Sequence, residues 1–225
     1  MSPRGGIGVL GGTFNPIHLG HLRAAEEVCE ILGLERMVFV PSAEPPHKEG
    51  DREGIAPAKL RCEWVRRAIA DNPRFAVDPL EIERPGPSYS IDTLRSFGER
   101  MAPEKPIFVI GQDAFAEIET WREPSTLFTL SHFAVITRPP SGDGSLAQLL
   151  PARFAQHFEL DGEGELGRHR TAGTWIRRIH ISALDVSATD IRGRIREGRS
   201  ARYLVPETVR RAIITSGIYT QRNEA

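Results

Sequence analysis

The sequence predicts an α/β fold: a doubly wound, mostly parallel sheet with helices on both faces and a helical segment at the C-terminus. Three observations carry that expectation. Short β-branched and aromatic runs alternate with longer stretches of helical period, the pattern of strand–helix–strand units. The first such run leads into a glycine-containing loop that opens a helix, the place where doubly wound sheets receive ligands. The 225 residues are enough to bury a full core, and a single domain over 1–225 is expected.

The strands are expected at Ile7–Leu10, Met37–Val40, Phe75–Val77, Ile107–Ile110 and Phe133–Thr137, with a sixth near Ile179–Ile181. Helices are expected at about 20–32, 57–71, 90–101, 113–130, 188–197 and 206–216. Gly33 suits the residue after the first helix, Pro57 and Pro206 suit first turns, and Ser90 and Ser187 suit N-caps. Between Pro139 and Thr174 the periodicity dissolves into glycine, charge and histidine, so a surface loop or insertion at about 140–174 is expected. No internal repeat is present.

Composition narrows the function. With 29 basic and 30 acidic residues the formal charge is −1, so no global field draws the chain to nucleic acid or to an anionic membrane, and any phosphate site must be local. Cys29 and Cys62 sit in apolar periodic segments without a CxxC pair, which fits buried, reduced thiols and a cytoplasmic protein. No stretch reaches the roughly 18 apolar residues of a membrane span. Oligomeric state, a homo-oligomer included, is left open.

The segment Gly11-Gly12-Thr13-Phe14-Asn15-Pro16-Ile17-His18-Leu19-Gly20-His21 follows the first strand. Gly11 and Gly12 let backbone approach an anion, Pro16 stiffens the turn, and the helix start supplies free N–H groups. His18 and His21, three residues apart, share a helical face and can both donate to phosphate oxygens. Gly6-x-Gly8-x-x-Gly11 matches a dinucleotide fingerprint by letter, but its middle lies within the strand. There is no GxxxxGK[ST], and a zinc site on His18, His21 and His47 lacks a thiolate or carboxylate to complete it.

GGTFNPIHLGHL resembles the H-x-G-H loop of the nucleotidyltransferase superfamily. That resemblance implies its Rossmann-like fold, ATP on Gly11, Gly12, Thr13 and Phe14, and a triphosphate held by His18 and His21 in the transition state. Ser187-Ala188-Thr189-Asp190-Ile191-Arg192 resembles the second signature, I-S-S-T-x-I-R, departing from it at Ala188. Ser187 and Asp190 make an S-x-x-D capping pair, and the resemblance implies ATP binding by Ser187, Thr189 and Arg192, with Arg192 on the β- and γ-phosphates.

Pro41-Ser42-Ala43-Glu44-Pro45-Pro46-His47-Lys48 resembles a stretch of the bacterial nicotinate-nucleotide adenylyltransferases. Glu83–Leu94 resembles that branch's R-x-G-x-S-Y-T-x-D-T-L element, with Ser90 for threonine, and Gly111-Gln112-Asp113, Trp121-Arg122 and Arg138-Pro139 match its further elements. By this resemblance Gly111 and Asp113 hold adenosine, Tyr89 and Trp121 flank a nicotinate ring, and backbone N–H groups around Ser90 and Arg122 read its carboxylate. His47, Lys48 and Arg138 complete the acceptor site, with Lys48 also countering reaction charge.

The implied reaction is transfer of the adenylyl group of ATP to nicotinate mononucleotide, giving deamido-NAD and pyrophosphate, with Mg²⁺ held by phosphate oxygens and water and no protein metal ligands. An acceptor phosphate needs no general base, which suits a site rich in donors and poor in paired carboxylates. Rival expectations are transfer to nicotinamide mononucleotide or phosphopantetheine, or a non-catalytic nucleotide sensor.

Overall fold

The computed structural model describes residues 5–44, 54–137, 145–182 and 184–220. In chain order it contains β1 (Ile7–Gly12), α1 (Leu19–Leu32), β2 (Arg36–Pro41), α2 (Ala58–Ile69), β3 (Phe75–Val77), α3 (Leu80–Glu83) and α4 (Ser90–Met101). There follow β4 (Ile107–Gly111), α5 (Gln112–Ala116), α6 (Pro124–Leu130), β5 (His132–Thr137), α7 (Leu146–Leu149) and α8 (Ala152–Ala155). The remainder is β6 (Phe158–Leu160), β7 (Leu166–His169), β8 (Trp175–His180), α9 (Ala188–Arg196) and α10 (Glu207–Ser216).

One eight-stranded sheet runs β3-β2-β1-β4-β5-β8-β7-β6. The first six in that order are mutually parallel, and β7 and β6 add an antiparallel hairpin at the edge. Strand alternation splits the core in two, as a doubly wound sheet requires. Leu10, Phe39, Val109 and Ala134 face α1, α2, α9 and α10, where Val28, Trp64, Ile191 and Val209 meet them. Val9, Val38, Phe108, Phe133 and Ile176 face the other side, against Leu94, Phe115 and Phe128.

Local sequence explains most boundaries. Gly33 ends α1 at φ 63° with its N–H on the Cys29 carbonyl. Gly8 lies inside β1, and a Cβ there would come within 2.8 Å of Leu34 Cδ1 and 2.9 Å of the Met37 tip, so this glycine serves close packing and no dinucleotide turn.

Three expectations need correction. Ser90 is the first residue of α4 and Tyr89 occupies its N-cap without a side-chain cap bond. The helix expected over 113–130 is interrupted, with a 3-10 turn at Ile118–Thr120 and a restart at Pro124. Pro124 disfavours helical backbone in the residue before it, and Glu123 sits at φ 52° and ψ 53°.

The third correction concerns 145–174, expected as a loop or insertion, where the loop alternative gives way to short ordered elements. Leu146, Leu150, Phe154 and Phe158 are buried in the second core, and Phe154 and Phe158 both meet Phe128 edge-on at 5.1 and 5.4 Å. Each contributing element is only three or four residues long, too short to show a period. Phe154→Ala should therefore cost about 3 kcal/mol of stability. An unchanged urea midpoint would return this segment to the status of a detached loop.

Candidate active site

The helix after β1 packs in the first core and the helix after β4 in the second, so the chain leaves these two neighbouring strands on opposite faces, the switch point outside whose carboxyl ends doubly wound sheets bind ligands. Gly11 and Gly12 are the last residues of β1, and Gly111 closes β4 and N-caps α5. Asp113 is exposed in the first turn of α5.

Beyond β1, Phe14 takes the left-handed region at φ 47° and buries its ring against His21 (centroids 5.1 Å apart) and Phe39 (5.8 Å). A Cβ on Gly12 would stand 3.1 Å from that ring, so this glycine makes room for Phe14 as well as for a ligand. Thr13 supplies a carbonyl to a guanidinium beneath the loop.

His18 is the N-cap of α1, with extended backbone at φ −144° and ψ 171°, and is 6% exposed. Its ring stacks on that of His21 at 3.7 Å and 28°, so the two imidazoles form one unit. The His18 N–H donates to His21 Nδ1 at 3.3 Å, which leaves the proton of a neutral His21 on Nε2. Gly20 explains the glycine between them: a Cβ there would meet the His18 ring at 3.1 Å and the Val186 carbonyl at 3.6 Å.

That Val186 contact announces the second stretch. Ser187 caps α9, its Oγ accepting from the Asp190 N–H at 3.0 Å. The cap is one-sided, because the Asp190 carboxylate pairs with Arg194 at 2.7 Å. Thr189 and Arg192 lie one turn apart, and Arg192 Nη2 donates to Thr189 Oγ1 at 3.3 Å. Arg192 Nη1 reaches across to donate to the Asn15 carbonyl at 2.9 Å. The histidine loop and the Arg192 helix, distant in sequence, thus meet at one place.

Other bonds hold them there. Leu19 N–H donates to the Leu204 carbonyl at 3.0 Å, and buried Glu27 of α1 accepts from Ser182 N–H at 2.7 Å. Burial pushes the Glu27 carboxyl up, but the Ser182 N–H and Arg23 outweigh it and hold the group below its ordinary value. Asn15 itself is locked by its side chain, Nδ2 donating to Gly54 O at 2.8 Å while Oδ1 accepts from Ala56 N–H and from the Tyr219 hydroxyl.

The neighbouring loops form a second cluster. Ser42 N–H donates to Gly12 O at 3.0 Å, tying the exit of β2 to that of β1. Ser88 Oγ accepts from Ala43 N–H at 2.9 Å and its N–H donates to Glu44 O at 3.1 Å. Glu81 is buried below, its carboxyl raised by burial and hydrogen-bonded by Thr93 and Ser88. Arg122 stands over the Tyr89 ring at 5.0 Å, and Trp121 meets Phe108 of β4 edge-on at 6.2 Å. The pair lies in the break between the 3-10 turn at Ile118–Thr120 and α6, with Arg122 over the N-cap residue of α4.

Among the expected site residues, His18, His21, Thr189 and Arg192 come together, and Tyr89, Trp121 and Arg122 line the flank beside β4 with Ser90. His47, Lys48 and Arg138 lie outside the described residues. Sequence reading passed over Arg61, Ser88, Tyr219 and the Asn15 amide. A signal for Arg61 existed: it shares its helical stripe with Val65 and Ala68, an arginine at a core position.

Comparison with known proteins agrees with this geometry. Residues 9–194 match the cytidylyltransferase-like family. A probable nicotinate-nucleotide adenylyltransferase of Geobacter metallireducens is 43% identical over 95% of this chain and 97% of its own length. The one from Symbiobacterium thermophilum is 41% identical over 95% of this chain and 94% of its own. The fold is shared with the nicotinic acid mononucleotide adenylyltransferase of Plasmodium falciparum complexed with NaAD, at a TM-score of 0.72 and 16% identity over 96% of this chain and 97% of that one. Among the described residues no helix is long and apolar enough to cross a membrane. The signature loops, the sheet order and these identities over nearly the whole length agree: the chain belongs to the nicotinate-nucleotide adenylyltransferases of the cytidylyltransferase-like family.

Proposed function

We propose that this chain transfers the adenylyl group of ATP to nicotinate mononucleotide, releasing pyrophosphate and forming deamido-NAD. The observation that carries the reading is the 2.9 Å bond from Arg192 to the Asn15 carbonyl, which gathers imidazoles and a buried guanidinium at the carboxyl edge of the sheet. The relatives' names supply the acceptor.

An oxygen of the acceptor's phosphate attacks the α-phosphorus as the bond to the β-phosphate breaks, and the attacking group is already anionic. Alignment and neutralisation therefore replace proton abstraction. His18 bridges the reacting phosphates, while His21, Arg192 and Lys48 counter charge on the triphosphate and on departing pyrophosphate. Gly11, Gly12, Thr13, Phe14, Ser187 and Thr189 complete the phosphate cradle, and Gly111 with Asp113 holds the adenosine. Tyr89 and Trp121 flank the nicotinate ring, with backbone N–H groups around Ser90 and Arg122 reading its carboxylate and His47 and Arg138 at the acceptor's phosphate.

Magnesium enters on the nucleotide as part of the substrate. The donors gathered here, imidazole, guanidinium and backbone N–H, suit phosphate oxygens and leave the hard cation to phosphate and water. When bound, the ion would withdraw charge from the triphosphate.

The test is pyrophosphate release with ATP and Mg²⁺, offering nicotinate mononucleotide, nicotinamide mononucleotide and phosphopantetheine in turn. The acid should exceed its amide in kcat/KM by roughly 10- to 100-fold, because only the acid carries the carboxylate charge that the N–H groups around Ser90 and Arg122 would read. Equal values would overturn the acceptor assignment. No pyrophosphate with any acceptor would overturn adenylyl transfer and favour a sensor.

A further inference from the structure

Arg61, on α2, is 1% exposed and is among the largest fully buried side chains of the protein. Its fork is spent on backbone carbonyls. Nε donates to Ala56 O at 2.8 Å, Nη1 to Thr13 O, and Nη2 to Ser42 O at 2.7 Å and Ala43 O at 3.1 Å. Among the described residues no carboxylate pairs with it. Burying a cation without a counter-ion is costly, and a hydrophobic residue would fill the same helical stripe at lower cost.

The position of the four carbonyls gives the reason for that cost. Thr13 belongs to the loop that follows β1, and Ser42 and Ala43 to the loop that follows β2. Ala56, the remaining acceptor, passes the connection on, since its N–H donates to Asn15 Oδ1 at 3.0 Å while the Asn15 carbonyl receives Arg192. Ala43 N–H in turn holds Ser88 Oγ, next to Tyr89. A single planar group thus sits under both substrate loops, and its bonds extend toward Arg192 on one side and Tyr89 on the other.

We infer that Arg61 is a positioning residue that fixes the distance between the nucleotide loop and the acceptor loop, so that two separately bound substrates meet in line. The inference rests on the proposed adenylyl transfer for its kinetic part. Its geometry is independent of that reaction. A planar five-donor fork can satisfy carbonyls on two loops at once, whereas an ammonium has three donors on one point and cannot span them. Misplacement of a reacting atom by about 1 Å costs on the order of 100-fold in rate, while each substrate still binds its own loop.

Arg61→Lys removes the planar fork and keeps a long basic side chain, and Arg61→Ala leaves a guanidinium-sized space. We expect Arg61→Lys to lower kcat by on the order of 100-fold with KM for each substrate within about threefold of the parent. Millimolar guanidinium should restore part of the Arg61→Ala turnover, and methylammonium should not. Amide exchange in the absence of substrates provides a readout that needs no turnover: Ser42 and Ala43 N–H should lose protection in Arg61→Lys at matched thermal stability. If the parent chain releases no pyrophosphate, the proposed reaction fails, and exchange alone decides the clamp. Unchanged Ser42 and Ala43 protection overturns the inference, as does an unchanged kcat, or a rise in KM with kcat unaltered, in an active parent.

Discussion

Alanine in place of His18 should lower kcat by roughly 100- to 1000-fold and leave the protein folded. The expected stability change is about 1 kcal/mol, because His18 gives up only its side chain's half of the capping box with His21. Its carbonyl accepts from His21 and Leu22 N–H at 3.0 and 3.3 Å, and its N–H donates to His21 Nδ1, bonds an alanine backbone retains. What is lost is the imidazole stacked on His21, the group proposed to bridge the reacting phosphates. KM for ATP should move much less than kcat, since an interaction made chiefly in the transition state leaves ground-state binding alone. Steady-state kinetics beside thermal melts settle the matter. Undiminished turnover in a folded variant would remove His18 from the mechanism.

Arg192 should give a loss of similar size with an unusual companion. Arg192→Met is expected to lower kcat/KM by roughly 100- to 1000-fold while Tm stays level or rises. Arg192 is 8% exposed, and the partners of its guanidinium among the described residues are the neutral Asn15 carbonyl and Thr189 hydroxyl. Among the described residues this buried cation has no counter-ion, and in the proposed reaction the triphosphate would supply one. Arg192→Lys, which keeps charge but not the two-pronged reach, should fall between parent and Arg192→Met. A Tm that drops in step with activity would make Arg192 a structural strut, contrary to the role proposed here.

These two residues lie at opposite ends of the chain, and each was legible for a local reason. His18 sits in GGTFNPIHLGHL, where glycine, proline and histidine together serve one turn, and Arg192 follows Ser187 at the start of a capped helix. The parallel strands were equally legible, since a strand buried on both faces is written as a continuous apolar run. Where signals were short or contested, reading failed. The α7 to β7 elements are three or four residues each, and the helix expected across 113–130 was broken by the backbone preference of the residue before Pro124.

The sequence by itself determined the doubly wound class, the places of the parallel strands, and the two signature stretches, because these depend on periodicity and on residues whose backbone chemistry acts within a few positions. Tertiary structure decided what holds those stretches together. Asn15 joins Gly54, Ala56, Tyr219 and Arg192, and Arg61 joins Thr13, Ser42, Ala43 and Ala56. Their acceptors are mostly backbone carbonyls, which every residue type carries, so no pattern of side chains along the chain could have announced which ones would converge.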